Sequence, residues 1–143
     1  MALSDSEIRK ALAESNLVIE PFEESCLGAA GYDLRLDSDA VLKPSEHRLV
    51  ATMERVELRG GVAGFLHIRS SMAREGILAS VALVDPGFRG QLTIALFNSG
   101  AKTVRLKARE RFVQLTLVRL GEGAARLYEG RYQDSTGVVS SRR

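Results

Sequence analysis

The sequence predicts a mainly β domain, a sandwich or jelly roll capped at one end by a short N-terminal helix. Three observations carry this. From Gly31 onward, short apolar runs recur at close spacing between turn residues. Many alternate apolar and polar, as in Val104-Arg105-Leu106 and Val113-Gln114-Leu115-Thr116-Leu117, the period of a half-buried strand. One segment near the N-terminus reads with helical spacing instead.

In chain order, Ser4 followed by Glu7 is a capping-box pattern, and Ile8, Ala11 and Leu12 then fall on one helical face. Gly28 and the polar stretch before it end this opening region. Strands are expected at Tyr32–Leu36, Ala40–Leu42, Arg48–Leu58, Val62–Arg69, Gln91–Asn98, Thr103–Leu106 and Phe112–Leu120. Gly60-Gly61 and Asn98-Ser99-Gly100 read as hairpin turns. No repeat or linker divides the 143 residues, so a single domain is expected over 1–143. The segment 122–143 is rich in Gly, Ser and Arg. By composition it reads as a frayed tail, and by function as a flexible arm that orders over a ligand.

Composition narrows the function. The net charge is only +2, which argues against nucleic acid, whose binders carry a strong basic bias, and suits a small anionic ligand. No apolar run approaches the roughly 20 residues of a membrane span, so no membrane partner is expected. Cys26 stands alone and reads as a small buried apolar residue in a reducing, cytoplasmic setting. His47 and His67 lie apart from each other and from Cys26, so no metal-ligand spacing appears. His67, inside an apolar strand, reads as a satisfied structural histidine.

Three segments could carry chemistry. Arg69-Ser70-Ser71-Met72-Ala73-Arg74 joins two guanidinium forks to hydroxyls and closely spaced amides, a pattern suited to phosphate oxygens. It could also be a surface turn with an Arg74–Glu75 salt bridge. Ser71 to Arg74 could begin a short helix. The second is Val84-Asp85-Pro86-Gly87-Phe88-Arg89-Gly90-Gln91: Asp85 follows the apolar run Val81–Val84, and the Pro-Gly turn holds its carboxylate at a strand end. There it could act as a general base or be an ordinary turn. Gln114 alternates with apolar neighbours and is either solvated or hydrogen-bonded inward.

Taken together these segments resemble one family. Gly31-Tyr32-Asp33-Leu34, Arg69 through Gly76, Val84 through Gly90, and Arg111-Phe112-Val113-Gln114-Leu115 resemble, in order, four motifs of trimeric dUTPases and dCTP deaminases. Leu3-Ser4-Asp5 and the tail from Tyr128 to Gly137 resemble the dCTP deaminase branch with its archaeal dUTPase-like members. The resemblance implies a distorted jelly roll (the dUTPase-like β-clip) and a homotrimer with active sites between subunits. It also implies a C-terminal arm that closes on the nucleotide, and Mg²⁺ held through the triphosphate rather than by side chains. It makes Arg69, Ser70, Ser71, Met72, Ala73, Arg74 and Gln114 phosphate-side residues. Asp85 becomes the catalytic carboxylate and Phe88 the aromatic under the sugar. Thr93, Ile94 and Ala95 line the base, and Tyr128, Arg131 and Ser135 are tail contacts.

Both branches bind a deoxypyrimidine triphosphate, so the phosphate motifs do not choose the reaction. The deaminase branch moves protons with a glutamate on the strand after the Asp-Pro-Gly turn, and that position here is Ala95. The tail glutamine of the deaminases falls on Ser135, and the linker from Gly76 to Asp85 is short. The expected reaction is therefore dUTP hydrolysis to dUMP and pyrophosphate, with Asp85 positioning water at the α-phosphorus. Backbone groups of the 79–95 hairpin would read uracil. The alternatives are a dCTP deaminase, bifunctional or not, and a non-catalytic nucleotide-binding trimer.

Overall fold

The structure, a computed structural model, describes residues 1–80 and 82–143. Val81, which begins the run Val81–Val84, lies outside the described residues. Helix α1 spans Asp5–Ala13. Ser4 caps it, accepting from the Glu7 amide, while the Glu7 carboxylate accepts from the Ser4 amide, so the capping box is complete. Ile8 and Ala11 are buried and Leu12 packs beside them.

The strands follow as β1 (Leu17–Glu20), β2 (Leu27–Gly28), β3 (Gly31–Arg35), β4 (Ala40–Leu42), β5 (His47–Leu58) and β6 (Val62–Ile68). After the short helix α2 (Ser70–Arg74) come β7 (Ile77–Ser80), β8 (Leu83–Val84), β9 (Arg89–Asn98), β10 (Val104–Leu106) and β11 (Arg111–Arg119). They form a four-stranded sheet ordered β1-β5-β9-β7, a five-stranded sheet ordered β2-β3-β11-β6-β8, and the pair β10-β4. The named strand pairs are all antiparallel. Alternation decides which face is buried. Along β9, Leu92, Ile94 and Leu96 enter the core while Gln91, Thr93, Ala95 and Phe97 face outward. The same rule sends Leu115 and Leu117 of β11 inward, into one buried cluster that both large sheets share.

The longest pair, β5–β9, shifts register between Ala51 and Arg55. This irregularity is held by polar groups. Thr52 donates to the Glu54 carbonyl at 2.8 Å and accepts from the Leu92 amide at 2.9 Å. Glu54, fully buried, accepts from Arg35 Nε at 2.6 Å and from the Arg35 amide at 2.8 Å. A buried carboxylate is tolerated only with such pairing.

Several expectations change. Gly60-Gly61 turns the chain from β5 into β6, but these strands belong to different sheets, so it is a crossing and not a hairpin. Asn98-Ser99-Gly100 likewise leads from β9 to β10 in another sheet. The Asn98 side chain holds it there, donating to the Leu42 and Lys102 carbonyls and accepting from the Gly100 amide. His67 is exposed on the outer face of β6, not buried and satisfied. Cys26 is buried as expected. Strands β1 and β7, both sheet edges, were not anticipated. Among the described residues, no helix is long and apolar enough to cross a membrane.

Candidate functional site

The first half of the candidate site lies on the outer face of the five-stranded sheet. Antiparallel register places Asp33, Gln114 and His67 in one row across β3, β11 and β6. The Asp33 carboxylate sits between two guanidinium groups. Arg69 Nε is 3.1 Å from its Oδ2, and an Arg111 terminal nitrogen is 3.7 Å from the same oxygen. Arg69 also donates to the Arg111 carbonyl at 3.3 Å. The Gln114 side chain runs across Gly31, where an added Cβ would meet its Cγ at 3.3 Å and the Leu115 carbonyl oxygen at 2.8 Å.

Arg69 precedes α2, a helix of only five residues. Ser70, Ser71, Ala73 and Arg74 are exposed on it, and Arg74 makes no salt bridge with Glu75. Met72 offers the phosphate segment its backbone alone. Its side chain is buried in the core, since one position in this short helix must anchor it.

The second half lies between the Asp85 turn and the outer face of the four-stranded sheet. The turn is tied to the end of β5, with the Gly87 amide donating to the Leu58 carbonyl at 2.6 Å and the Leu58 amide to the Phe88 carbonyl at 3.0 Å. Gly87 has φ +89, where side chains are disfavoured, and an added Cβ would meet the Tyr128 amide nitrogen at 2.8 Å. Beside it opens a cavity of about 690 Å³. Asp85, Phe88, Thr93, Ala95, Tyr128 and Ser135 line it. Asp85 is exposed to it, and is the one acid among the described lining residues. Ile94 points away into the core, as strand alternation requires between Thr93 and Ala95.

The C-terminal arm lines one side of this cavity, through Tyr128, Tyr132, Ser135, Val139 and Ser141. The Tyr128 and Phe88 rings meet edge to face at 5.6 Å between centroids. Ser135 bridges Gly90, Gly137 donates its amide to Gln91 Oε1 at 2.7 Å, and Val139 donates to Thr93 Oγ1 at 3.0 Å. Arg89 and Asp134 form a two-pronged pair at 2.6 and 2.9 Å. The hydrogen bonds from Arg89 hold the Asp134 carboxyl below the usual carboxylate range. Arg131 lies outside the cavity, hydrogen-bonded to the Arg142 carbonyl.

Within one chain, then, Asp85, Phe88, Thr93, Ala95, Tyr128 and Ser135 converge, while Arg69 to Arg74 and Gln114 do not line the same cavity. Sequence reasoning missed His47 and Leu49 on its wall, while Gln91, at the end of the Asp85 segment, does line it. The signal is cross-strand: Leu49 pairs with Ala95 and His47 with Phe97, a register that a single strand does not reveal. Among the described residues no three His, Cys, Asp or Glu side chains gather as a metal set.

Two packed antiparallel sheets with an Asp-Pro-Gly turn beside an outer-face cavity define a β domain with a ligand-sized site, and its similarity to known proteins gives the family. The sequence profile of the dUTPase family matches residues 19–140, and the chain belongs to the dUTPase/dCTP deaminase family. It is 44% identical over 158 residues to a protein named dCTP deaminase from Pyrococcus horikoshii, covering 100% of this chain and 98% of the relative. A viral relative from Sulfolobus islandicus rod-shaped virus 1, named "Probable deoxyuridine 5'-triphosphate nucleotidohydrolase", is 34% identical over 97% of each chain. Among solved structures, the Staphylococcus bacteriophage 80alpha dUTPase with dUPNHPP shares the fold. Its TM-score is 0.63 at 18% identity, over 84% of this chain and 95% of that one. A phage phi11 dUTPase variant of S. aureus, described as coordinating a structural Mg(II) ion, also has a TM-score of 0.63, at 19% identity over 80% of this chain and 97% of that one.

Proposed function

We propose that this protein hydrolyses dUTP to dUMP and pyrophosphate. One observation carries the reading: the cavity wall at Ala95 offers a methyl group and no proton-transferring acid. Cytosine deamination moves protons at N3, the exocyclic amine and the attacking water, and a methyl group can move none. Hydrolysis at the α-phosphorus needs only an oriented water and charge stabilisation. Asp85, exposed into the cavity at a fixed turn, would take the proton from that water as its oxygen bonds to the α-phosphorus. The bond to the bridging oxygen breaks and pyrophosphate leaves. The substrate would be the Mg²⁺ complex of the triphosphate, in which the ion would offset phosphate charge without a side-chain ligand from this chain. Backbone groups of the 79–95 hairpin would read uracil, and Phe88 would pack under the deoxyribose.

The same reading makes the working unit a homotrimer. The Arg69–Arg74 segment and Gln114 carry the phosphate chemistry, and they do not line the cavity of their own chain. A nucleotide seated beside Asp85 would meet them on a second copy. Two exposed apolar pairs on strand edges, Phe65 with Leu83 and Leu78 with Phe97, support burial against another copy.

The archaeal relatives named dCTP deaminase support a second reading, deamination of dCTP to dUTP. Against it stand Ala95 and the replacement of the deaminases' tail glutamine by Ser135. The test is Asp85→Asn. Turnover of dUTP should fall at least about 100-fold, the scale of lost general-base catalysis, with nucleotide affinity within a few-fold. Turnover equal to that of the unaltered protein would contradict the assigned role.

A further inference from the structure

The turn that presents Asp85 has a backbone held from two sides. From the sheet side, Leu58 takes the Gly87 amide and donates to the Phe88 carbonyl. From the arm side, Tyr128 donates its amide to the Pro86 carbonyl at 2.8 Å. The Gly87 carbonyl and the Arg89 amide also face the arm, and one side chain takes both. Gln133 Nε2 donates to the Gly87 carbonyl at 2.8 Å, and Gln133 Oε1 accepts from the Arg89 amide at 2.9 Å. The orientation of the carboxamide is not arbitrary. Nε2 also faces the Tyr128 carbonyl at 3.2 Å, so reversing the amide would set an oxygen against two carbonyls and a nitrogen against an N–H.

We propose that Gln133 is a positioning residue for Asp85: its carboxamide clamps the backbone of the Asp85–Arg89 turn from the C-terminal arm, so that arm docking fixes the carboxylate that works on the substrate. The proposal rests on the hydrolytic reading above. It assigns the arm a part in the chemical step in addition to covering the ligand. The neighbouring contacts make the two parts separable. The Arg89–Asp134 pair and the Ser135–Gly90 bridge hold the arm whether or not Gln133 is present. Losing Gln133 therefore loosens the turn more than it detaches the arm, and a small misplacement of a reacting group lowers the rate of the chemical step.

The test uses the full chain with Mg²⁺–dUTP and two variants. Gln133→Ala should lower kcat about tenfold while KM stays within about threefold. Gln133→Glu keeps the bulk but turns a carboxylate on the Gly87 and Tyr128 carbonyls, and kcat should fall at least as far as in the alanine variant. Amide hydrogen exchange, read without nucleotide, should speed up at Arg89 in Gln133→Ala, which removes the acceptor, while Gly137 and Val139 stay protected. A raised KM with unchanged kcat would overturn the proposal, leaving the arm a cover only. Unchanged exchange at Arg89 would overturn it as well. Should the unaltered protein fail to hydrolyse dUTP, the hydrolytic reading falls, and the exchange at Arg89 alone decides whether the clamp exists.

Discussion

Replacing Glu54 with alanine should unfold this protein more readily than any surface change, for reasons that can be worked through from its contacts. Glu54 has 0% exposure, and its carboxylate accepts two hydrogen bonds, at 2.6 and 2.8 Å, from the side chain and the amide of Arg35. The Arg35 side chain is itself only 12% exposed. Alanine would leave that guanidinium with the Pro21 carbonyl at 2.9 Å and Glu23 at 4.0 Å, and leave the Arg35 amide without its partner. Removing one partner of a buried ion pair costs about 3–5 kcal/mol. Unfolding entropy is about 2.1 cal/mol/K per residue, so over 143 residues the melting midpoint should drop by about 10–17 °C. Calorimetric melts at fixed protein concentration read the midpoint. A loss under about 3 °C, roughly 1 kcal/mol on the same scale, would refute the account of the β5 irregularity.

Other perturbations follow from the arm. Gly90 has φ +146, and an added Cβ would lie 2.8 Å from the Ser135 amide nitrogen. Gly90→Ala should therefore lift the arm, raise KM for dUTP about tenfold or more, and expose the 122–143 segment to limited proteolysis. An intact arm in that variant would contradict the close approach. Arg89 depresses the Asp134 carboxyl, so the contribution of this pair is present above the unfolded carboxyl value of about 3.9 and is lost as pH falls through the lower folded value. Arm protection in hydrogen exchange should thus be flat from neutral pH down to about pH 4 and decline below it in unaltered protein. Asp134→Asn should remove that decline.

Most of the β architecture was legible because alternation is strict in β9 and β10 and holds in β11 from Val113 onward, and because the Ser4–Glu7 box is local. Boundaries of the long strands came within a few residues. The edge strands β1 and β7 were not seen because four-residue apolar runs lack a distinguishing period. The sheet crossings at Gly60-Gly61 and at Asn98 were read as hairpins because turn residues report a reversal and not which sheet receives the chain. His67 was placed inward because its neighbours are apolar, yet β6 presents it outward beside Gln114. In the candidate site, Asp85 and Phe88 were found through the Asp-Pro-Gly turn. His47 and Leu49 were not, since they join the cavity only by pairing across to Phe97 and Ala95. Met72 and Ile94 lay within contiguous motif segments, but helix and strand geometry turn their side chains into the core.

Ala95 stands where the deaminase branch carries its proton-moving glutamate, while Asp85 remains to orient water, and this places the proposed chemistry at phosphorus. The most direct measurement incubates the purified protein with Mg²⁺ and, separately, dUTP or dCTP, and follows pyrophosphate and ammonia together. The account predicts pyrophosphate and dUMP from dUTP, with no ammonia from dCTP. Ammonia released from dCTP would contradict it, and neither product from either nucleotide would leave a nucleotide-binding trimer in its place.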